Sequence, residues 1–90
     1  MTISIKEITS NEFQVTVNSN SLTTHNVMVT DEVHQDLTDG KVTKNELLDF
    51  SFQFLLDREP NTSILASFEL TVISKYFPEY KQSVRDWCAN

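Results

Sequence analysis

Two histidines, one cysteine and thirteen side-chain carboxylates are the groups in this chain that could do acid–base, nucleophilic or metal chemistry. Their spacing decides whether they can act together. Cys88 has no CxxC partner, and sequence places no base beside it, so thiolate catalysis lacks its activating group. The densest ligand-type cluster is Asp31, His34 and Asp36. Asp31 and His34 can share a helix face, but Asp36 is turned roughly 160° from His34 at helical period, so the trio reads as a solvated helix edge. His25 falls in the alternation of Val27 and Val29. It reads as a histidine at the margin of a core, bonded to a backbone carbonyl or a hydroxyl. Gly40, Val42 and Glu46 fit positions 6, 8 and 12 of an EF-hand loop, yet positions 1, 3 and 5 would be Gln35, Leu37 and Asp39, and leucine cannot ligate calcium. A single glycine excludes a glycine-rich phosphate cradle. Arg58 and Glu59, beside Pro60, read as a local ion pair or cap at a helix end. No catalytic residue, metal ligand or cofactor is assigned from these patterns.

Composition narrows the class. Ninety residues suffice for one domain over positions 1–90, and with 39% apolar residues, six of them Phe, one core can offset chain entropy without staples. One cysteine forms no intrachain disulfide, which fits a cytoplasmic protein. The opening residues lack the basic-then-apolar pattern of an export signal, and no apolar run approaches ~18 residues, so no membrane partner is expected. The net charge of −6 is concentrated in residues 31–69. A phosphate backbone would be repelled there, which argues against nucleic acid as a partner.

The elements that position these groups follow from periodicity. Residues 1–30 alternate: Ile3 and Ile5 against Thr2, Ser4 and Lys6; Phe13, Val15 and Val17 against Gln14, Thr16 and Asn18; Val27 and Val29 against Asn26 and Met28. Ile8 is out of phase with Ile5, which marks a bulge or strand end near Glu7. Short polar turns at 9–11 and 19–21, where Asn can take positive φ, join the strands into a three-stranded antiparallel meander. Residues 31–90 are helical. Asp31 is the expected N-cap of a short helix closed by Asp39-Gly40. Thr43 and Glu46 form a capping box that opens a long Phe-rich helix over 44–57. Its polar stripe is Asn45, Glu46, Asp49, Gln53 and Asp57, and the remaining two-thirds of its surface is apolar except for the small Ser51. Pro60 ends it. Two to three short C-terminal helices follow: a turn carrying Ile64 and Leu65, a helix near 71–77 burying Val72, Ile73, Tyr76 and Phe77, and a last helix with Pro78 at N1 and the stripe Tyr80, Val84 and Trp87. The expected fold is α+β, with the meander covered on one face by the long helix.

The segment Ser51-Phe52-Gln53-Phe54-Leu55-Leu56-Asp57-Arg58-Glu59-Pro60, continuing through Leu65 and then Ile73 to Tyr80, resembles a segment of short uncharacterised bacterial proteins. The resemblance extends to Thr24-His25 and the Val27/Val29 pair. It implies a bacterial-type cytoplasmic protein and carries no activity.

One surface stands out. The outward sheet face reads Thr2, Ser4, Lys6, Gln14, Thr16, Asn18, Thr24, Asn26 and Met28, polar yet almost free of charge. Such a face desolvates more cheaply than a charged one, and the outer strands keep unpaired amides. Thr2, Ser4, Gln14, Thr16, Thr24, Asn26 and Met28 are therefore the candidate interaction surface. The expected function is a small non-enzymatic protein-interaction or regulatory module, its partner another protein or a second copy of itself paired through the sheet. The alternative is a small-molecule or metal-binding protein or minor enzyme using His25, His34 and nearby carboxylates. That alternative requires those groups to converge in a pocket.

Overall fold

The computed structural model describes residues 2–89. Its order is β1 (Thr2–Glu7), β2 (Glu12–Asn18), β3 (Leu22–Met28), α1 (Asp31–Thr38), α2 (Lys44–Leu56), a 3₁₀ turn (Asn61–Ser63), β4 (Ser67–Glu69), α3 (Val72–Tyr76) and α4 (Tyr80–Ala89). The class is α+β, as the periodicities require. The sheet differs from the expected meander. It has four strands in the order β1-β2-β3-β4, and β4 runs parallel to β3. The helical segment α1–α2 supplies the long crossover that parallel neighbours need.

The N-terminal alternation places Phe13, Val15, Val17, His25 and Val27 on the covered face, all buried. Strand β1 ends at Glu7, where the phase of the alternation breaks. Neither turn uses a positive-φ Asn; Asp39 is the only non-glycine residue with positive φ among those described. The first turn is held instead by Thr9, whose Oγ1 accepts from the amides of Asn11 and Glu12. Val29, just past β3, stays buried, and its amide donates to the Asn11 carbonyl.

Helix α1 is capped by Thr30, not Asp31. Thr30 is extended and its side chain accepts from the Val33 amide, which leaves Asp31 as the first helical residue with its carboxylate available to a cation. Asp39 and Gly40 terminate α1 in the left-handed region, at φ 55° and 72°. Thr43 and Glu46 form the reciprocal capping box that opens α2.

The three phenylalanines of α2 alternate by about 200°, so they serve two layers. Phe52 faces the sheet side, 5.4 Å from the His25 ring and 6.2 Å from Phe68. Phe50 and Phe54 turn the other way: Phe50 stacks on Trp87 at 4.5 Å, and Phe54 meets Phe77 and Tyr80 edge-on. A single core therefore runs from β2 through α2 to Tyr80 and Val84 of α4.

The C-terminal third departs from expectation in four places. The turn after Pro60 is formed by residues 61–63 themselves, ahead of Ile64. Tyr76 is 68% exposed, because a five-residue α3 presents only one face and Ile73 occupies it. Pro78 lies outside α4, whose first backbone bond runs from Ser83 N–H to the Glu79 carbonyl. Finally, β4 went unforeseen: three residues with one inward Phe are too few to display a period.

Candidate functional site

The seven sequence-nominated residues lie on one face. Register places Ser4 beside Thr16 and Thr16 beside Thr24, while Gln14 sits between Lys6 and Asn26, with Ser67 of β4 beyond. Thr2 aligns with Asn18, and Met28 lies between Glu12 and Glu69. Thr2, Ser4, Thr24, Asn26 and Met28 are exposed, and Gln14 and Thr16 are half-buried by their neighbours.

The free edge of β1 is more specific than this face. The Ile8 amide donates to the Glu12 carbonyl, which fixes the phase of the β1–β2 ladder. By antiparallel alternation Thr2, Ser4 and Lys6 then bond inward to β2, while Ile3, Ile5 and Glu7 direct both N–H and C=O away from the sheet. The side chains of Ile3 and Ile5, unlike the inward residues of β2 and β3, are only half-buried. They floor a groove of about 300 Å³ with Trp87, walled by Asn45, Glu46 and Asp49 of α2. The polar stripe of α2 thus forms the acidic lip of an open strand edge. Sequence exposed both the stripe and the alternation, but not their adjacency.

A second cleft, of about 350 Å³, lies at the other end of the sheet among α2, the 3₁₀ turn, β4 and α3. Its walls are apolar, with Leu55, Ile64, Phe68, Ile73, Tyr76 and Phe77 prominent, and Glu59 contributes a carboxylate. Arg58 and Glu59 do not pair with each other. Arg58 lies over the Phe54 ring, donates to the Phe54 carbonyl and faces Glu79 at 3.6 Å. Glu59 has no ion-pair or hydrogen-bond partner for its carboxylate among the described residues.

The histidines do not converge. His25 is 2% exposed; its Nδ1 lies 2.7 Å from the Leu65 carbonyl and its Nε2 2.9 Å from the Thr23 hydroxyl. A carbonyl only accepts, so Nδ1 carries a proton, and in the neutral imidazole Nε2 accepts from Thr23. Asn61 in turn donates to Thr23 Oγ1 and the Ser21 carbonyl, both at 2.9 Å. The result is a directed chain that ties the segment after Pro60 to β3. His34 Nε2 donates to the Val42 carbonyl, on the far side of the α1–α2 loop. Asp31 pairs with Lys44 at 2.6 Å, and Lys44 also donates to the Ser10 carbonyl and Asn11 Oδ1. The Lys44 ammonium therefore holds the Asp31 carboxyl below its usual range. Asp36 is exposed, and Glu46 serves the capping box rather than a calcium loop. No group of three or more His, Cys, Asp or Glu placed to hold a metal occurs among the described residues. Cys88 is half-buried against the core rather than on a frayed end; burial pushes its thiol up, Lys41 opposes this and Asp39 adds to it.

Among the described residues no helix is long and apolar enough to cross a membrane. Set against protein-family models, curated proteins and solved structures, the chain matches none. Its functional reading rests on geometry.

Proposed function

We propose that the protein is a non-enzymatic interaction module that accepts an extended segment of another polypeptide as a fifth strand along the free edge of β1. The observation that carries this reading is the coincidence of outward-directed amides at Ile3, Ile5 and Glu7 with half-buried Ile3 and Ile5 side chains in a groove beside them. Strand addition draws affinity from main-chain bonds and specificity from pockets for alternate side chains. Inward positions of the added strand meet Ile3, Ile5 and Trp87 under the Glu46 and Asp49 lip, a setting for Lys or Arg with an apolar stem and a charged head. Outward positions extend the charge-poor face through Thr2 and Ser4. Two copies pairing through β1 would bring two acidic lips together on chains of net charge −6, so a basic partner strand is favoured over a second copy. A cytoplasmic setting accords with the lone thiol.

The test is selection of extended peptides from a random display library on the immobilised protein, followed by NMR. Selected peptides should be basic at alternate positions, shift the Ile3, Ile5 and Glu7 amides and the Trp87 indole, and lose binding on Glu7→Pro. Peptides that shift other regions, or that bind Glu7→Pro unchanged, would refute strand addition. Mass rising with concentration in the unliganded protein would favour the second copy.

A further inference from the structure

We propose that the cleft at the β4 end of the sheet binds a small organic ammonium, with Glu59 as counter-ion and Phe68, Tyr76 and Phe77 as its aromatic walls. This site is separate from the β1 edge and stands or falls independently of it. At about 350 Å³ the cleft lies near the lower end of small-molecule pockets, so its occupant is compact.

Three observations select the charge of that occupant. The lining side chains are apolar apart from Glu59, Ser63 and the Tyr76 hydroxyl, so the body of the ligand must be largely apolar too. The one ionisable side chain lining the cleft that carries charge near neutrality is a carboxylate, half-buried and without a charged or hydrogen-bonding partner among the described residues. Three aromatic rings share the lining; Arg58 already lies 5.9 Å from the Phe77 ring centroid, which leaves Phe68 and Tyr76 to attract a cation in the way that underlies ammonium recognition by aromatic cages. An anionic ligand would meet Glu59 and an acidic molecule; a neutral one would leave the carboxylate partly desolvated and unpaired.

The exposure of Tyr76 and Leu65, 68% and 47%, fits the same reading. Both are large apolar side chains near a cleft they do not fill. Arg58 is the nearest cation in sequence, but its engagement with Phe54 and Glu79 keeps it from neutralising Glu59.

The experiment is an NMR titration at pH 7 with three probes of similar shape: 2-phenylethylammonium, 2-phenylethanol and 3-phenylpropanoate. Saturable shifts of the Leu55, Ile64 and Ile73 methyls are expected with the ammonium, the alcohol binding about five-fold more weakly and the carboxylate more weakly still, as expected for one partly exposed ion pair. Glu59→Gln should bring ammonium and alcohol to within about two-fold of each other while leaving the melting temperature unchanged. Tyr76→Ala, a change at an exposed position, should weaken the ammonium without unfolding the chain. Equal binding of ammonium and alcohol by the unsubstituted protein, shifts confined to other regions, or no saturation would overturn the proposal.

Discussion

Ser51 and Tyr80 share a hydrogen bond inside the core, and its direction is fixed. Ser51 Oγ donates to the Leu47 carbonyl at 2.7 Å, so its single proton is spent and the Tyr80 hydroxyl must donate to Ser51. Both residues are fully buried. Removing the acceptor strands a buried O–H, whereas removing the donor leaves Ser51 still bonded. Ser51→Ala should therefore cost about 2 kcal/mol and Tyr80→Phe about 1 kcal/mol, although each change deletes one oxygen. Urea denaturation of both variants and of the double variant checks this. The serine change should cost less when Tyr80 is already Phe.

The same burial gives a pH dependence. Loss of solvation pushes the Tyr80 phenol above its ordinary value of 10.0, with Ser51 opposing the shift and Cys88 adding to it. A raised folded-state value means the unfolded chain releases its proton first as pH climbs. The associated stability is complete below pH 10 and lost above it, at up to about 1.4 kcal/mol per pH unit. Denaturation midpoints should fall more steeply above pH 10 in the unsubstituted protein than in Tyr80→Phe. Identical slopes would contradict the assignment.

Asn61 anchors the 3₁₀ turn to two strands through its amide nitrogen, which faces the Ser21 carbonyl, the Thr23 hydroxyl and, at 3.5 Å, the Val17 carbonyl. Every partner of that nitrogen is an acceptor. Asn61→Asp, which replaces the donor by a charged acceptor, should cost more than Asn61→Ala, itself about 1–3 kcal/mol. Thermal melting at neutral pH ranks the two, and lowering the pH toward the carboxylate range should rescue the aspartate variant alone.

These interactions were not equally legible in the sequence. Strands β1 to β3 and the two-sided Phe helix follow from local periodicity and the capping box from the spacing of Thr43 and Glu46, and the same alternation gave His25 a carbonyl or a hydroxyl as partner, where the structure has both. Strand β4 could not be foreseen, because its identity depends on what Val27 and Phe68 do across a crossover of some forty residues. The outward face was legible because alternation assigns faces; the groove was not, because Ile3, Asp49 and Trp87 meet only in three dimensions. Arg58 and Glu59, adjacent in sequence, part company because one follows the Phe54 ring and the other opens onto the β4 cleft.

Lys44 is 13% exposed and gathers the Ser10 carbonyl, Asn11 and Asp31 around one ammonium, joining the first turn to the starts of α1 and α2. Its hydrogen bond and charge hold the Asp31 carboxyl below 3.8. A lowered folded-state value contributes stability above the unfolded value, and that contribution fades as pH falls through the folded one. In Lys44→Met the NMR titration midpoint of Asp31 should rise toward the ordinary value, and the acid limb of the stability profile should flatten. An unmoved Asp31 midpoint would show that another group sets it.

Proline substitution along β1 separates the two directions of its amides. Lys6 and Glu7 are both exposed, so neither change removes a core side chain. Lys6 bonds across to Gln14, whereas the Glu7 amide points outward. Proline deletes one N–H and fixes φ near −65°, which an edge strand tolerates only where that N–H serves no ladder. Lys6→Pro should therefore lower stability by about 2 kcal/mol more than Glu7→Pro, since only the former strands the Gln14 carbonyl and strains a paired position. Thermal denaturation measures the difference. The reverse ranking, with Glu7→Pro the costlier change, would mean that the ladder is in the opposite phase, and Ile3, Ile5 and Glu7 would then turn inward and leave no edge for a fifth strand to join.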